Sequence, residues 1–182
     1  MNFFQINKWL HSYDLSCYNY VKKNEFYFNK FYEENKPNNH LKGVNVPLED
    51  GEIYNIISQN LLKIILQNYY VSPNHQNHSL GIYKQDNTNN IRNPHNHILS
   101  ASITSVFYIN PPKSKEGGGI TLYFSNLNEY ITIHPIPGKV YFFPSWVYHT
   151  PEPQTSPTPR FSINWGYMSR IRPIHKITGD LW

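Results

Sequence analysis

Residues 139–149 read Lys139-Val140-Tyr141-Phe142-Phe143-Pro144-Ser145-Trp146-Val147-Tyr148-His149. Pro137-Gly138 precedes the run and Thr150-Pro151 follows it. Val, Tyr, Phe and Trp suit a half-buried pleated surface, so Lys139–Phe143 and Trp146–His149 predict two short strands. The same pattern recurs on both sides. Leu80–Lys84, Ser102–Ile109, Ile120–Phe124, Tyr130–His134 and Arg160–Tyr167 are further β-rich runs, punctuated by Pro111-Pro112 and Gly117-Gly118-Gly119. Many short strands separated by turn residues predict a mainly β sandwich or jelly roll.

Upstream the period changes. Ile53, Ile56, Ile57, Leu61, Ile64 and Ile65 recur at spacings of three and four, which predicts a helix over about 52–68 with its apolar face on one sheet. Residues 1–50 read as aromatic-rich and irregular. Phe3, Phe4, Ile6, Trp9 and Leu10 suit a short helix or strand against the main body, and Lys36-Pro37-Asn38-Asn39 reads as a loop. The chain of 182 residues is long enough for one sizeable core. We therefore expect a single domain over 1–182: a supporting segment at 1–77, a β core at 78–168 and a tail at 169–182.

Composition narrows the function classes. The net charge is +4 and the Lys and Arg are scattered, with no basic block of the kind that marks nucleic acid or a membrane surface. Charged residues make up only 15%, so neutral polar groups carry solubility. The single Cys17 excludes an intrachain disulfide and a cysteine-based zinc site, and fits a cytoplasmic location. No apolar run approaches membrane-spanning length, and Met1 to Tyr20 lacks the pattern of a signal peptide.

Chemistry concentrates in three places. His95-Asn96-His97 places two imidazoles on one face if the segment is extended, because strand side chains alternate. His149, at the end of a distant strand, can close a triangle around one divalent metal, leaving the opposite side open. Imidazole suits iron, zinc, copper and nickel alike. The chain has nine histidines, and an H-x-H pair alone is a weak signal. Beyond His149, Arg160, Ser162 and Asn164 share one strand face while Phe161, Ile163 and Trp165 share the other. A guanidinium pointing into a jelly roll calls for a carboxylate partner, because an unpaired buried cation is costly.

The ordered set resembles the 2-oxoglutarate/Fe(II)-dependent oxygenases, in particular their prolyl-hydroxylase-like branch. The resemblance covers roughly residues 78–168 and rests on Tyr83, then His95-Asn96-His97, then Val106-Phe107-Tyr108-Ile109-Asn110. The glycine-led strand Gly117–Phe124, the entry Pro137-Gly138-Lys139 and finally His149 with Arg160-Phe161-Ser162 complete it. It implies a double-stranded β-helix, cupin-like, with N-terminal helical elements packed on one sheet. It implies Fe(II) held by His95 and His149, with His97 at the third ligand position of the triangle, and 2-oxoglutarate held by Arg160 with Tyr83 and Tyr108 near it; Ser162, on the same strand face as Arg160, can donate a further hydrogen bond to the carboxylate. It implies O2 as second co-substrate and hydroxylation of a primary substrate that the residues do not identify.

One position departs from the family pattern. His97 stands where the family has Asp or Glu, and a neutral imidazole removes no charge from the metal. Glu152 and Asp86 are the nearest acidic residues by sequence. Two other readings stay open: a cupin-like jelly roll that binds a metal or anion without turnover, and a structural jelly-roll module with incidental histidines.

Overall fold

The computed structural model describes residues 10–36, 45–48, 51–71, 77–85, 93–124, 129–169 and 171–173. In chain order these form β1 (His11–Asp14), α1 (Tyr18–Lys23), α2 (Glu25–Asn35), β2 (Asn45–Pro47), α3 (Glu52–Asn68), β3 (Tyr69–Val71) and β4 (Asn77–Gln85). There follow β5 (Ile103–Tyr108), a single 3-10 turn at Ser114–Glu116, β6 (Ile120–Phe124), β7 (Glu129–Ile133), β8 (Lys139–Pro144), β9 (Tyr148–Pro151), β10 (Arg160–Met168) and β11 (Ile171–Pro173).

The architecture is mainly β and antiparallel. A six-stranded sheet runs β1-β8-β5-β10-β4-β2, a three-stranded sheet runs β7-β6-β9, and β11 pairs β3. The six-stranded sheet is buried on both faces, which is why its strands read as nearly continuous apolar runs. On β8, Val140 and Phe142 join the cluster that contains the helices, while Tyr141 and Phe143 join a second cluster. That second cluster meets Ile120, Leu122 and Phe124 of β6, so it fills the space between the two sheets.

Helix α3 spans the predicted range. Ile57, Leu61 and Ile65 are each 0% exposed and pack in one cluster with Ile82, Phe142 and Trp165 of the large sheet. Burying three such side chains stabilises the helix–sheet contact by about 1.5–3 kcal/mol each. No side chain caps its N-terminus; the Asn55 N–H bonds the Gly51 carbonyl, and Glu52 in the first turn complements the helix dipole. The helix ends where Tyr69 turns extended and enters β3 directly.

Within the N-terminal fifty, the described residues are not irregular. They hold β1, which pairs β8, and the helices α1 and α2. Val21, Phe28, Phe31 and Tyr32 form their buried face, at spacings of seven, three and one. That helical period was present in the sequence but sits among Tyr, Phe and Asn, whose local helix propensity is modest. Tertiary burial decides it. Strand β9 begins at Tyr148 rather than Trp146, because the Val147 N–H bonds the Pro144 carbonyl at 3.0 Å and closes a turn there. The expected packing of Phe3, Phe4, Ile6 and Trp9, the loop at 37–39, and residues 174–182 of the tail lie outside the described residues. Among the described residues no helix is long and apolar enough to cross a membrane.

Candidate functional site

The His95-Asn96-His97 segment is not part of a regular strand. His95 forms an isolated antiparallel bridge with His149, closed by His95 N–H to His149 O at 3.1 Å and His149 N–H to His95 O at 2.8 Å. Two residues on, the His97 N–H bonds the Ser145 carbonyl at 2.8 Å. These alternate bonds hold the segment locally extended, and so impose the same-face geometry without a strand. The His97 carbonyl then accepts from the N–H groups of Ser100 and Ala101, both at 2.9 Å, which turns the chain toward β5.

The three imidazoles meet. Ring centroids lie 4.4 Å apart for His95–His149, 5.0 Å for His97–His149 and 5.2 Å for His95–His97. One donor atom from each lies within 4.8 Å of the others, a group that could hold a metal ion. His149 is buried, whereas His95 and His97 are partly exposed. Nδ1 of His149 lies 3.2 Å from the Val147 carbonyl, and Nδ1 of His95 lies 3.2 Å from the Asn93 carbonyl. A carbonyl only accepts, so each Nδ1 carries the proton and each Nε2 keeps a lone pair for a metal. Among the described residues no carboxylate belongs to the cluster. Glu152 is turned elsewhere and accepts from the Thr121 hydroxyl. Asp86 lies outside the described residues.

A pocket opens beside the histidines. His95, His97 and His149 line it together with Tyr83, Tyr108, Ser162, Asn164 and Thr104, and Val106, Ile120, Phe143 and Pro151 supply apolar walls. The register explains the polar stripe. Ser162 sits opposite Tyr83 on β4 and Tyr108 on β5, and Asn164 sits opposite Gly81 and Val106. Gly81 leaves the space above Asn164 without a neighbouring side chain on that strand.

Arg160 lies one register step beyond Ser162, behind the pocket lining rather than in it. It is 1% exposed. Its Nη1 donates to the Gly119 carbonyl at 3.1 Å, its Nη2 donates to Oε1 of Gln85, and its Nε has no partner among the described residues. The guanidinium lies 5.3 Å from the centre of the Tyr108 ring. Burial pushes the Tyr108 hydroxyl well above its ordinary range, with Arg160 pulling the other way. Tyr108 therefore stays protonated at neutral pH and can donate. A buried guanidinium with one N–H unpartnered among the described residues fits an anionic ligand, and three converging imidazoles fit a divalent metal.

Three residues that support this arrangement were not singled out in the sequence. Gln85 faces Arg160 directly across β4 and β10. Asn110 donates to the Pro159 carbonyl at 2.8 Å and accepts from the Phe161 N–H at 2.7 Å, which pins the start of β10 around Arg160. Thr104 lines the pocket with its hydroxyl buried and, among the described residues, unpartnered. Only the family-like Tyr-Ile-Asn order hinted at Asn110. The glycine run does have a site role. Gly118 has φ +74°, and a Cβ there would lie 2.5 Å from Pro112 and 3.3 Å from Nη1 of Arg160.

Comparison with known proteins agrees. The profile of the 2OG-Fe(II) oxygenase superfamily matches residues 70–167. No curated protein matches the chain. Among solved structures the fold is similar to a prolyl hydroxylase from Trichoplax adhaerens in complex with a hypoxia inducible factor peptide fragment. The TM-score is 0.66 at 16% identity, over 92% of this chain and 94% of that one. It is similar to a prolyl 4-hydroxylase from Phytophthora capsici, with TM-score 0.63 and 17% identity over 88% of this chain; the match spans 59% of that longer chain. A viral collagen prolyl hydroxylase from Paramecium Bursaria Chlorella virus-1, solved with 2OG, gives TM-score 0.60 at 12% identity over 87% of this chain and 94% of that one.

Proposed function

The chain belongs to the 2OG-Fe(II) oxygenase superfamily, and from that premise we propose that it is an Fe(II)- and 2-oxoglutarate-dependent dioxygenase that hydroxylates a primary substrate. Its core over 78–168 is then a double-stranded β-helix, with α1–α3 packed on the outer face of the large sheet. One observation carries the reading: three converging imidazoles line one pocket together with Tyr83, Tyr108 and Ser162, and a buried guanidinium lies against Tyr108 behind that lining.

Fe(II) and 2-oxoglutarate, when bound, supply the O2 activation that breaks an unactivated C–H bond. The chain's own residues do the rest. His95, His97 and His149 hold the metal through Nε2, and the Val147 and Asn93 carbonyls fix two of the rings. Arg160 receives the far carboxylate of 2-oxoglutarate in a charge-assisted contact. Ser162 and Tyr108 stand within the same stripe and can donate to that carboxylate. Val106, Ile120 and Phe143 exclude water from the reacting end. The buried thiol of Cys17, which burial pushes up to about 11, stays protonated and unreactive, in keeping with a structural role.

The test is anaerobic binding of 2-oxoglutarate to the Fe(II)-loaded protein, followed by O2-dependent formation of succinate. Binding and turnover are expected; a metal-loaded protein that binds no 2-oxoglutarate sinks the reading. His97 favours a second reading, a metal-binding jelly roll without turnover, because three neutral imidazoles leave the metal's full charge in place. His97→Asp separates the two. Succinate formation that falls in this variant supports a functional three-histidine centre, and succinate formation that appears only in this variant supports the second reading.

A further inference from the structure

We propose that Gln85 is a positioning residue for Arg160: a neutral clamp that fixes the guanidinium and leaves its charge uncompensated, so that this end of the pocket selects a second carboxylate on the 2-oxo acid. The proposal rests on the oxygenase reading of the site and deepens it.

Gln85 is 1% exposed and lies directly opposite Arg160 in the β4–β10 register. Its Oε1 accepts from Nη2 of Arg160, and its Nε2 donates to the Glu152 carbonyl at 3.2 Å. The amide is thus held at both ends, and its oxygen faces the arginine. The other acceptor of Arg160 is the Gly119 carbonyl. Both protein partners are neutral. Among the described residues no carboxylate pairs with Arg160, and the nearby Glu152 carboxylate is engaged by Thr121.

A buried arginine that serves only the fold is ordinarily paired with Asp or Glu, because an isolated buried cation is costly. Here the orientation of the guanidinium is over-determined by an amide, a backbone carbonyl and the Tyr108 ring, while its charge and its Nε–H remain for something else. Gln and Glu have nearly the same shape. Glu at this position would keep the bond to Arg160, lose the donation to the Glu152 carbonyl, and add an internal ion pair that satisfies the cation before any ligand arrives. The choice of an amide is what keeps the site receptive to an anion.

The experiment compares two ligands on the metal-loaded protein without oxygen. 2-Oxoglutarate carries the second carboxylate; 2-oxobutyrate has the same chelating 2-oxo acid and lacks it. Gln85→Glu is expected to weaken 2-oxoglutarate on the order of 10- to 100-fold and to leave 2-oxobutyrate within about threefold of wild type. Unchanged discrimination between the two acids in Gln85→Glu overturns the proposal. So does equal weakening of both, which would mark a purely structural residue. Gln85→Leu keeps the test usable should Gln85→Glu fail to fold. It removes the clamp without adding charge, so discrimination should fall by about tenfold, and full retention of discrimination overturns the proposal. A wild-type protein that binds neither acid instead overturns the oxygenase reading itself.

Discussion

The two ends of the pocket are built in opposite ways. At the histidine end, His95 and His97 ride on a non-strand segment held by a pair of backbone bonds to His149 and one to Ser145, and both residues are partly exposed. At the arginine end, Arg160 starts a nine-residue strand bonded to β4 along its whole length, and the side chain is almost wholly buried. On the proposed function, the contrast follows from what each end would have to do. A metal end must remain open to ligands and oxygen, so its residues sit at the rim of the sheets. An anion end needs low dielectric and fixed geometry, so it is set into the packed sheet.

The largest expected effect tests the open end. His149→Ala should abolish stoichiometric binding of Fe(II), Co(II) or Ni(II) while circular dichroism stays unchanged; calorimetric titration with each metal checks it. Retained affinity would break the comparison, because the end would then not be a metal site. His95→Ala and His97→Ala, titrated beside it, show whether each partly exposed imidazole contributes.

The next effect tests the packed end. Ile163 lies on β10 between Arg160 and Trp165, is 0% exposed, and belongs to the cluster shared with the helices. Ile163→Ala should cost about 2–5 kcal/mol of stability in denaturant unfolding. Leu99, 95% exposed beside the histidines, should tolerate Ala within about 0.5 kcal/mol. Equal losses at the two positions would contradict the division into a packed and an open end.

A smaller effect sharpens the chemistry of the arginine end. Arg160→Ala should weaken 2-oxoglutarate by about one to two orders of magnitude, from the loss of about 1.5–3 kcal/mol of charge-assisted bonding. Arg160→Lys should restore part of it, because an ammonium lacks the planar fork. Anaerobic titration measures both.

The smallest effect concerns the tie between α2 and the large sheet. Glu33 accepts from Lys36 and from Lys84 of β4, and these two bonds hold its carboxyl below the ordinary range. A depressed folded value means the stabilisation is present at neutral pH and is lost as pH falls through that value. The carboxylate is substantially exposed, so Glu33→Gln should cost about 1 kcal/mol or less at pH 7 and nothing at a pH where Glu33 is protonated in the wild type. Paired melting curves at the two pH values read this. A pH-independent loss would mean that Glu33 acts through packing.

How much was legible beforehand differs element by element. Helix α3 and the strands from Leu80 to Tyr167 were readable because an apolar period of 3.6 or 2 is written locally, and each of these segments buries one or both faces. Helices α1 and α2 carried the period too, through Val21, Phe28, Phe31 and Tyr32, but weak local propensity hid it. At the site, the three histidines, Arg160 and Ser162 were named from spacing and strand alternation, and Tyr83 and Tyr108 only through the resemblance. The local reason offered for the His95–His97 pair, a strand, was not the one the molecule uses.

The sequence by itself determined the alternation on β10, which puts Arg160, Ser162 and Asn164 on one face, and the periodic burial of α3. Both depend only on the geometry of a single element. Tertiary structure alone decided that His95 bridges His149, that Ser145 receives the His97 N–H, and that Gln85 rather than a carboxylate faces Arg160. Each of those contacts joins residues dozens of positions apart. Strand register and loop closure choose them, and neither can be read from the local order of residues.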